Sequence, residues 1–295
     1  MENKKHIIAL LYDFDKTLSP KYMQEYSFIP NMGMSADEFW SEANKVSVKN
    51  DMDRILAYMY LMVRLAKKND FPITKESFQD LGKDVKLYKG VSTWFKRIND
   101  YGKELGVEIE HYILSSGLKE IIEGTSIAKE FKKIYACEFH YNNSGNADWP
   151  QQVVNFTTKT QFLFRISKGV LGVLDDEKLN RKIKDEERRV PYQNMIYFGD
   201  GLTDVPCMKL VKQYGGHSIA IYRKSEMKKV EPLLKDERVD FICEGDYTKG
   251  STLEEVVKDI IKLNAAKCEL SDVSKRQISE QKVSYEWWIF KNNRN

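Results

Sequence analysis

Neither sign of charge dominates this 295-residue sequence: 47 Lys and Arg stand against 44 Asp and Glu, a formal net charge of +3. Dedicated nucleic-acid binding usually carries a strong basic excess, so no nucleic-acid partner is expected. Cysteine is sparse. Its four copies, Cys137, Cys207, Cys243 and Cys268, lie far apart with no CxxC spacing, and read as ordinary reduced thiols of an intracellular protein. No apolar run approaches the roughly eighteen residues that a membrane span needs. The opening Met-Glu-Asn-Lys-Lys-His leads into a short apolar run without a signal-type h-region or cleavage site. The expectation is a cytoplasmic protein with no membrane association. Internal repeats and low-complexity segments are also absent. What is abundant is aromatic surface, with 14 Phe, 16 Tyr and 5 Trp, enough to exclude disorder for the bulk of the chain. The length suits one large domain or two unequal ones.

Strand and helix signals alternate. Residues 6–12, HIIALLY, form an apolar run suited to a strand buried on both faces, as in a parallel sheet. It ends in Asp13-Phe14-Asp15-Lys16-Thr17. Residues 19–87 hold no convincing strand. Ser35 to Glu38 opens a helix with a capping box, and Met52, Ile55, Leu56, Met59, Val63 and Ala66 follow at helical spacing. Past Gly90 a helix is expected to about Lys103, then a strand from Glu108 to Leu114 ending in a Ser115-Ser116-Gly117 turn, with a helix to about Lys132. Tyr135 to Tyr141, a turn at Asn142–Asn146, and a return strand at Val153 to Phe156 read as a hairpin. Lys159 to Lys168 is helical. Residues 175–189 hold six charges of each sign and read as solvated surface. Met195 to Phe198 is a strand leading into Gly199-Asp200-Gly201-Leu202-Thr203-Asp204. Short strands at Ser218–Tyr222 and Val239–Cys243 and a closing helix at Leu253–Leu263 complete the pattern. Repeated strand–helix units predict an α/β fold, Rossmann-like, with a mostly parallel sheet flanked by helices and an inserted α-helical cap.

Four polar clusters then fall after predicted strands: Asp13/Asp15/Thr17, Ser115, Lys159 at a helix start, and Asp200/Asp204. Each alone has an ordinary explanation as a helix cap or a tight turn. A parallel sheet, however, gathers the C-terminal ends of its strands into one crevice. In that order and placement the clusters acquire a joint meaning. Asp13, Asp15 and Thr17 match DxDxT, Ser115 follows a second strand, and Lys159 precedes GDGxxD at Gly199–Asp204. The sequence thereby resembles the haloacid dehalogenase superfamily, in particular its phosphoserine-phosphatase-like branch, which carries a helical cap between the first and second motifs.

The resemblance implies a Mg²⁺-dependent phosphatase that hydrolyses a phosphate monoester of a small metabolite. Asp13 would attack phosphorus to form an aspartyl-phosphate, and Asp15 would serve as general acid and base. Ser115 and Lys159 would hold and neutralise the phosphoryl oxygens. Mg²⁺ would lie on Asp13, Asp15 through its carbonyl, Asp200 and Asp204. Lys159 is preferred over Lys168 and Lys182 because it opens an amphipathic helix after a hairpin. Thr17, Ser116 and Gly117, with Glu25, Arg54 and Arg64 from the helical insertion, are candidate substrate contacts, and Thr17 also fits a role in fixing the turn. Two carboxylates argue against dehalogenation, whose branch lacks the second acid. A phosphotransferase with an alcohol acceptor uses the same site. A DxD glycosyltransferase leaves Ser115, Lys159 and Gly199–Asp204 without roles, and a non-catalytic scaffold does not require all four carboxylates. The expected organisation is a core of residues 1–18 and 88–264, a cap of residues 19–87, and an extension of residues 265–295. Its Tyr285, Trp287, Trp288, Ile289 and Phe290 fit either a homo-oligomer contact or a return onto the domain.

Overall fold

The computed structural model describes the backbone of residues 5–292 and the side chains of residues 5–281. Seven strands form one sheet: β1 (Ile7–Tyr12), β2 (Glu108–Leu118), β3 (Lys133–Tyr141), β4 (Ala147–Gln152), β5 (Met195–Gly199), β6 (His217–Tyr222) and β7 (Phe241–Glu244). Their order is β4-β3-β2-β1-β5-β6-β7, parallel throughout except for the antiparallel β3–β4 hairpin. All six residues of β1 are buried, as its uninterrupted apolar run predicts for a central strand covered on both faces. The order reverses at β1, with β2 on one side and β5 on the other. That is the switch point at which open α/β sheets leave a crevice beyond their C-terminal strand ends. Register pairs Tyr12 with both Ile113 and Phe198, so the segments after β1, β2 and β5 emerge side by side.

Between β1 and β2 the described structure is helical, with principal helices at Ala36–Asn50, Arg54–Lys68 and Lys75–Leu81. The first starts at the expected capping box: Ser35 accepts from the Glu38 amide, and Glu38 accepts from the Ser35 amide. The segment leaves and returns at one point, because the Tyr88 amide donates to the Leu18 carbonyl at 2.9 Å. It also touches the hairpin, where the Ala147 amide donates to the Ile73 carbonyl at 2.8 Å.

Several local expectations change. Ser115-Ser116-Gly117 is no turn: β2 continues to Leu118 with an irregularity in its pairing to β3 after Leu114. The helix that follows covers only Lys119–Glu123, and Gly124 at its end packs so closely that a Cβ would lie 1.8 Å from the Gln79 carbonyl oxygen. The return strand is Ala147–Gln152, not Val153–Phe156. Asn142 Oδ1 accepts from the Ser144 and Asn146 amides and closes the turn early, so pairing begins at once. The last strand begins at Phe241 rather than Val239. The closing helix runs through Thr252–Asn292, for no glycine or proline follows Gly250 to stop it. The aromatic run from Tyr285 to Phe290 lies outside the described side chains. The charges of residues 175–187 are exposed as expected, whereas Arg189 folds back onto Glu110. Among the described residues no helix is long and apolar enough to cross a membrane.

Beneath the crevice lies a buried polar chain. Trp94 Nε1 donates to Tyr12 Oη at 2.9 Å, Tyr12 Oη lies 3.1 Å from His111 Nδ1, and His111 Nε2 lies 3.0 Å from Asn99 Oδ1. With Trp94 supplying its proton to Tyr12, the phenol donates to Nδ1, and a neutral imidazole with its proton on Nε2 satisfies every partner. Burial accordingly pushes His111 down to about 3, with the charge of Glu110 only partly opposing it. Between that value and the ordinary histidine range near 6.5 the unfolded chain binds a proton that the folded chain refuses. Stability therefore falls as pH drops through this window, by up to about 1.4 kcal/mol per pH unit. Urea melts of wild type and His111→Asn at pH 6.5 and 5 should show the wild type losing more stability on acidification. An equal loss in both would remove His111 as the source.

Candidate active site

The polypeptide leaving β1 coils tightly. The amides of Thr17, Leu18 and Ser19 all donate to the Phe14 carbonyl, a curl that takes Lys16 into the left-handed region at φ 58°. This curl fixes the carboxylates of Asp13 and Asp15. Asp13 Oδ1 accepts from its neighbour's Phe14 amide at 2.8 Å and lies 3.2 Å from Lys159 Nζ. Among the described residues no donor reaches Asp13 Oδ2. Asp15 Oδ1 accepts from the Met23 amide at 2.8 Å, which ties it to the first short turn of the helical segment.

After β5, Gly199-Asp200-Gly201-Leu202-Thr203-Asp204 places two more carboxylates. Asp204 is fully buried and engaged on both oxygens. Oδ1 accepts from Lys159 Nζ at 2.7 Å and Tyr197 Oη at 2.8 Å, and Oδ2 accepts from the Asp200 amide at 3.2 Å. Gly199 is required by this contact, since a Cβ there would lie 2.4 Å from the Asp204 carboxyl carbon. Asp200 lines the open cavity instead. Lys159, fully buried at the start of its helix, bridges Asp13 and Asp204, while Lys168 donates to the Leu179 and Arg181 carbonyls and Lys182 is exposed. One buried ammonium thus faces two of the four carboxylates.

Electrostatics follow from that imbalance. Burial pushes Asp13 up to about 6, even though Lys159 opposes the shift. Burial, reinforced by Asp204 and Asp13, raises Asp200 to about 8. Asp15 lies well above the carboxylate range through burial and then the charge of Asp13. For Lys159 burial works against the charge, but Asp13 and Asp204 outweigh it and keep the ammonium protonated. Oxygens of Asp13, Asp200 and Asp204 come within 4.8 Å of one another. An all-oxygen donor set in a site short of positive charge fits a hard divalent cation.

A cavity of about 610 Å³ opens over these groups, lined by Asp13, Asp15 and Asp200, by Ser115, Ser116 and Gly117, and by residues of the helical segment. Ser115 Oγ accepts from the Gly117 amide at 3.0 Å, leaving its own proton to donate. Gly117 sits where a Cβ would lie 2.1 Å from Met23 Cε and 3.1 Å from Asp15 Oδ2. Of the insertion residues singled out from sequence, Arg54 lines the cavity. Glu25 does not: it accepts from Trp40 Nε1 at 3.2 Å, and Trp40 is the residue at the wall. Arg64 is exposed and the side chain of Thr17 is buried, and neither is among the residues that line the cavity. Thr17 helps hold the curl, its carbonyl accepting from Tyr247 Oη at 2.7 Å. Sequence reading missed Tyr197, the Met23 amide, and the wall residues Tyr22, Gln24, Trp40, Tyr58 and Phe156. The alternation along β5 could have pointed to Tyr197, but nothing local marks the others.

A family model described as haloacid dehalogenase-like hydrolase matches residues 10–209, a span that contains every carboxylate of this site. An uncharacterized protein of Borreliella burgdorferi is 27% identical over 280 residues, covering 86% of this chain and 96% of that one. Two solved structures share the fold. One, a phospho-aspartyl intermediate analogue of phosphoserine phosphatase, superposes with a TM-score of 0.52 at 18% identity, covering 86% of this chain and 99% of that chain. The other, a HAD-family hydrolase of Salmonella enterica serovar Typhi, gives 0.53 at 16% identity, covering 79% of this chain and 66% of that chain.

Proposed function

The chain belongs to the haloacid dehalogenase-like hydrolase family, and from that premise we propose that it is a Mg²⁺-dependent phosphatase acting on a small phosphate monoester through an aspartyl-phosphate on Asp13. The observation that carries this reading is the buried Asp13–Lys159–Asp204 bridge, which anchors one oxygen of Asp13 and leaves the other facing the cavity. That free Oδ2 is the attacking atom. Lys159 holds Asp13 in place and offsets the charge that an approaching phosphoryl group adds.

Asp15 supplies the proton. Its raised affinity for a proton keeps the acid form available for the leaving alkoxide, and the resulting carboxylate then takes a proton from the water that cleaves the phosphoenzyme. The Met23 amide fixes Asp15 Oδ1, which leaves Oδ2 for this exchange. Ser115 donates its hydroxyl proton to a phosphoryl oxygen. Asp13, Asp200 and the carbonyl of Asp15 would hold the metal, with Asp204 in support because its own oxygens already serve Lys159, Tyr197 and the Asp200 amide. Bound there, Mg²⁺ would neutralise the carboxylates and polarise the phosphoryl group. The likeness to a phosphoserine phosphatase intermediate supports the reading at the level of the fold.

The direct test incubates the purified chain with a panel of phosphate esters and acetyl phosphate, with Mg²⁺ and with excess EDTA. Phosphate release with Mg²⁺, abolished by EDTA and restored by added Mg²⁺, is expected. No release from any compound with the metal present would overturn the proposal.

A further inference from the structure

Two buried polar groups at the cavity have no partner inside the protein. Gln24 is 1% exposed, lines the cavity, and its Oε1 receives no hydrogen bond; Ser116 Oγ, also at the cavity, is likewise unpaired. Leaving such a group unsatisfied is destabilising, and folded proteins leave few of them. Gln24 follows Met23, whose amide clamps Asp15, and Gln24 and Asp15 line the same cavity. Both orphans thus belong to residues that line the cavity shared with Asp13 and Asp15.

The charge of the surrounding wall narrows what that alcohol is. Apart from the reacting carboxylates, the lining residues are neutral except Arg54, which is exposed. Glu25 of the helical segment accepts from Trp40 at the wall. An ammonium on the leaving group would find no carboxylate in the lining beyond the reacting ones, and a carboxylate would find only the exposed Arg54. A carboxamide and a hydroxyl instead both donate and accept, as alcohol hydroxyls do. Trp40, with Tyr22 at a centroid distance of 4.8 Å, adds apolar surface suited to the C–H face of a ring or polyol.

We infer that this cavity takes the uncharged, hydroxyl-bearing leaving group of a sugar- or polyol-type phosphate ester, and that Gln24 selects it. The inference rests on the phosphatase reading above and adds the substrate class to it. Arg54 meets the incoming phosphate at the cavity mouth, and Gln24 and Ser116 pair with hydroxyls of the alcohol as Asp15 protonates its bridging oxygen.

The test compares kcat/KM of wild type and Gln24→Glu, with Mg²⁺, on sn-glycerol 3-phosphate and glucose 6-phosphate against O-phosphoethanolamine and O-phosphoserine. Acetyl phosphate, which offers no alcohol to read, reports on the phosphatase reading alone. The neutral esters should exceed the charged ones by about tenfold or more, and the neutral-to-phosphoethanolamine ratio should fall by about tenfold in Gln24→Glu. Gln24→Leu provides a second variant, expected to lower the same ratio by removing the hydrogen bonds without adding charge. Wild-type preference for a charged ester, or variants that lower all esters equally, would overturn the inference while leaving the phosphatase reading intact. Absence of acetyl phosphate turnover in the wild type would remove both.

Discussion

Asp13→Asn should lower turnover of every phosphate ester by about 10⁴-fold or more, while the protein stays folded. Asparagine matches aspartate in volume, and its Oδ1 still accepts from the Phe14 amide and from Lys159, the two contacts that anchor the wild-type side chain. What it lacks is a second anionic oxygen facing the cavity. Stability should hold, because one negative charge leaves a buried cluster in which Asp13 and Asp204 already repel. The measurement is initial rate with Mg²⁺, accompanied by a thermal melt and by acid-quenched mass spectrometry for phosphate on Asp13. Rates near wild type in a folded Asp13→Asn protein would exclude Asp13 as nucleophile.

Lys159→Met should damage both catalysis and stability, and that double effect separates it from Asp13→Asn. Methionine keeps much of the volume of lysine but removes the single ammonium between Asp13 and Asp204, both of which are buried. Breaking a buried pair from one side costs about 3–5 kcal/mol, since the remaining carboxylates have no compensation. Loss of a group that orients the nucleophile and neutralises the phosphoryl oxygens should cost a further factor of about 10²–10³ in kcat. Pairing Lys159→Met with Asp204→Asn should recover part of the stability, because the second change removes one stranded charge, but should not recover kcat. Urea melts and steady-state rates on the same four proteins complete the cycle. A Lys159→Met protein as stable as wild type would show that the bridge matters little to the fold.

Much of the scaffold was legible in local pattern. The run HIIALLY had to be a strand covered on both faces, and the turn chemistry of Asn142–Asn146 had to reverse the chain. Lys159 was singled out by the resemblance together with its place at a helix start, and the fold puts it between Asp13 and Asp204. Boundaries were not legible where tertiary contacts overrode local preference. Ser115-Ser116-Gly117 has turn composition, yet β3 pairs alongside and draws β2 on to Leu118. Glu25 looked like a free acid for substrate until packing gave it to Trp40.

Local pattern sets the strand–helix alternation, the order of the motif carboxylates and the helical character of the segment after Thr17, because periodicity, caps and turns act over a few residues. Only the tertiary structure decided which oxygens are spoken for. Asp204 lost both of its to Lys159, Tyr197 and a backbone amide, Asp13 kept one, and Gln24 was left buried without a partner. The cause is distance along the chain: Asp13 and Asp204 follow parallel-paired strands more than a hundred residues apart, Lys159 reaches them from the start of a helix, and hydrogen-bond satisfaction exists only once those segments have packed.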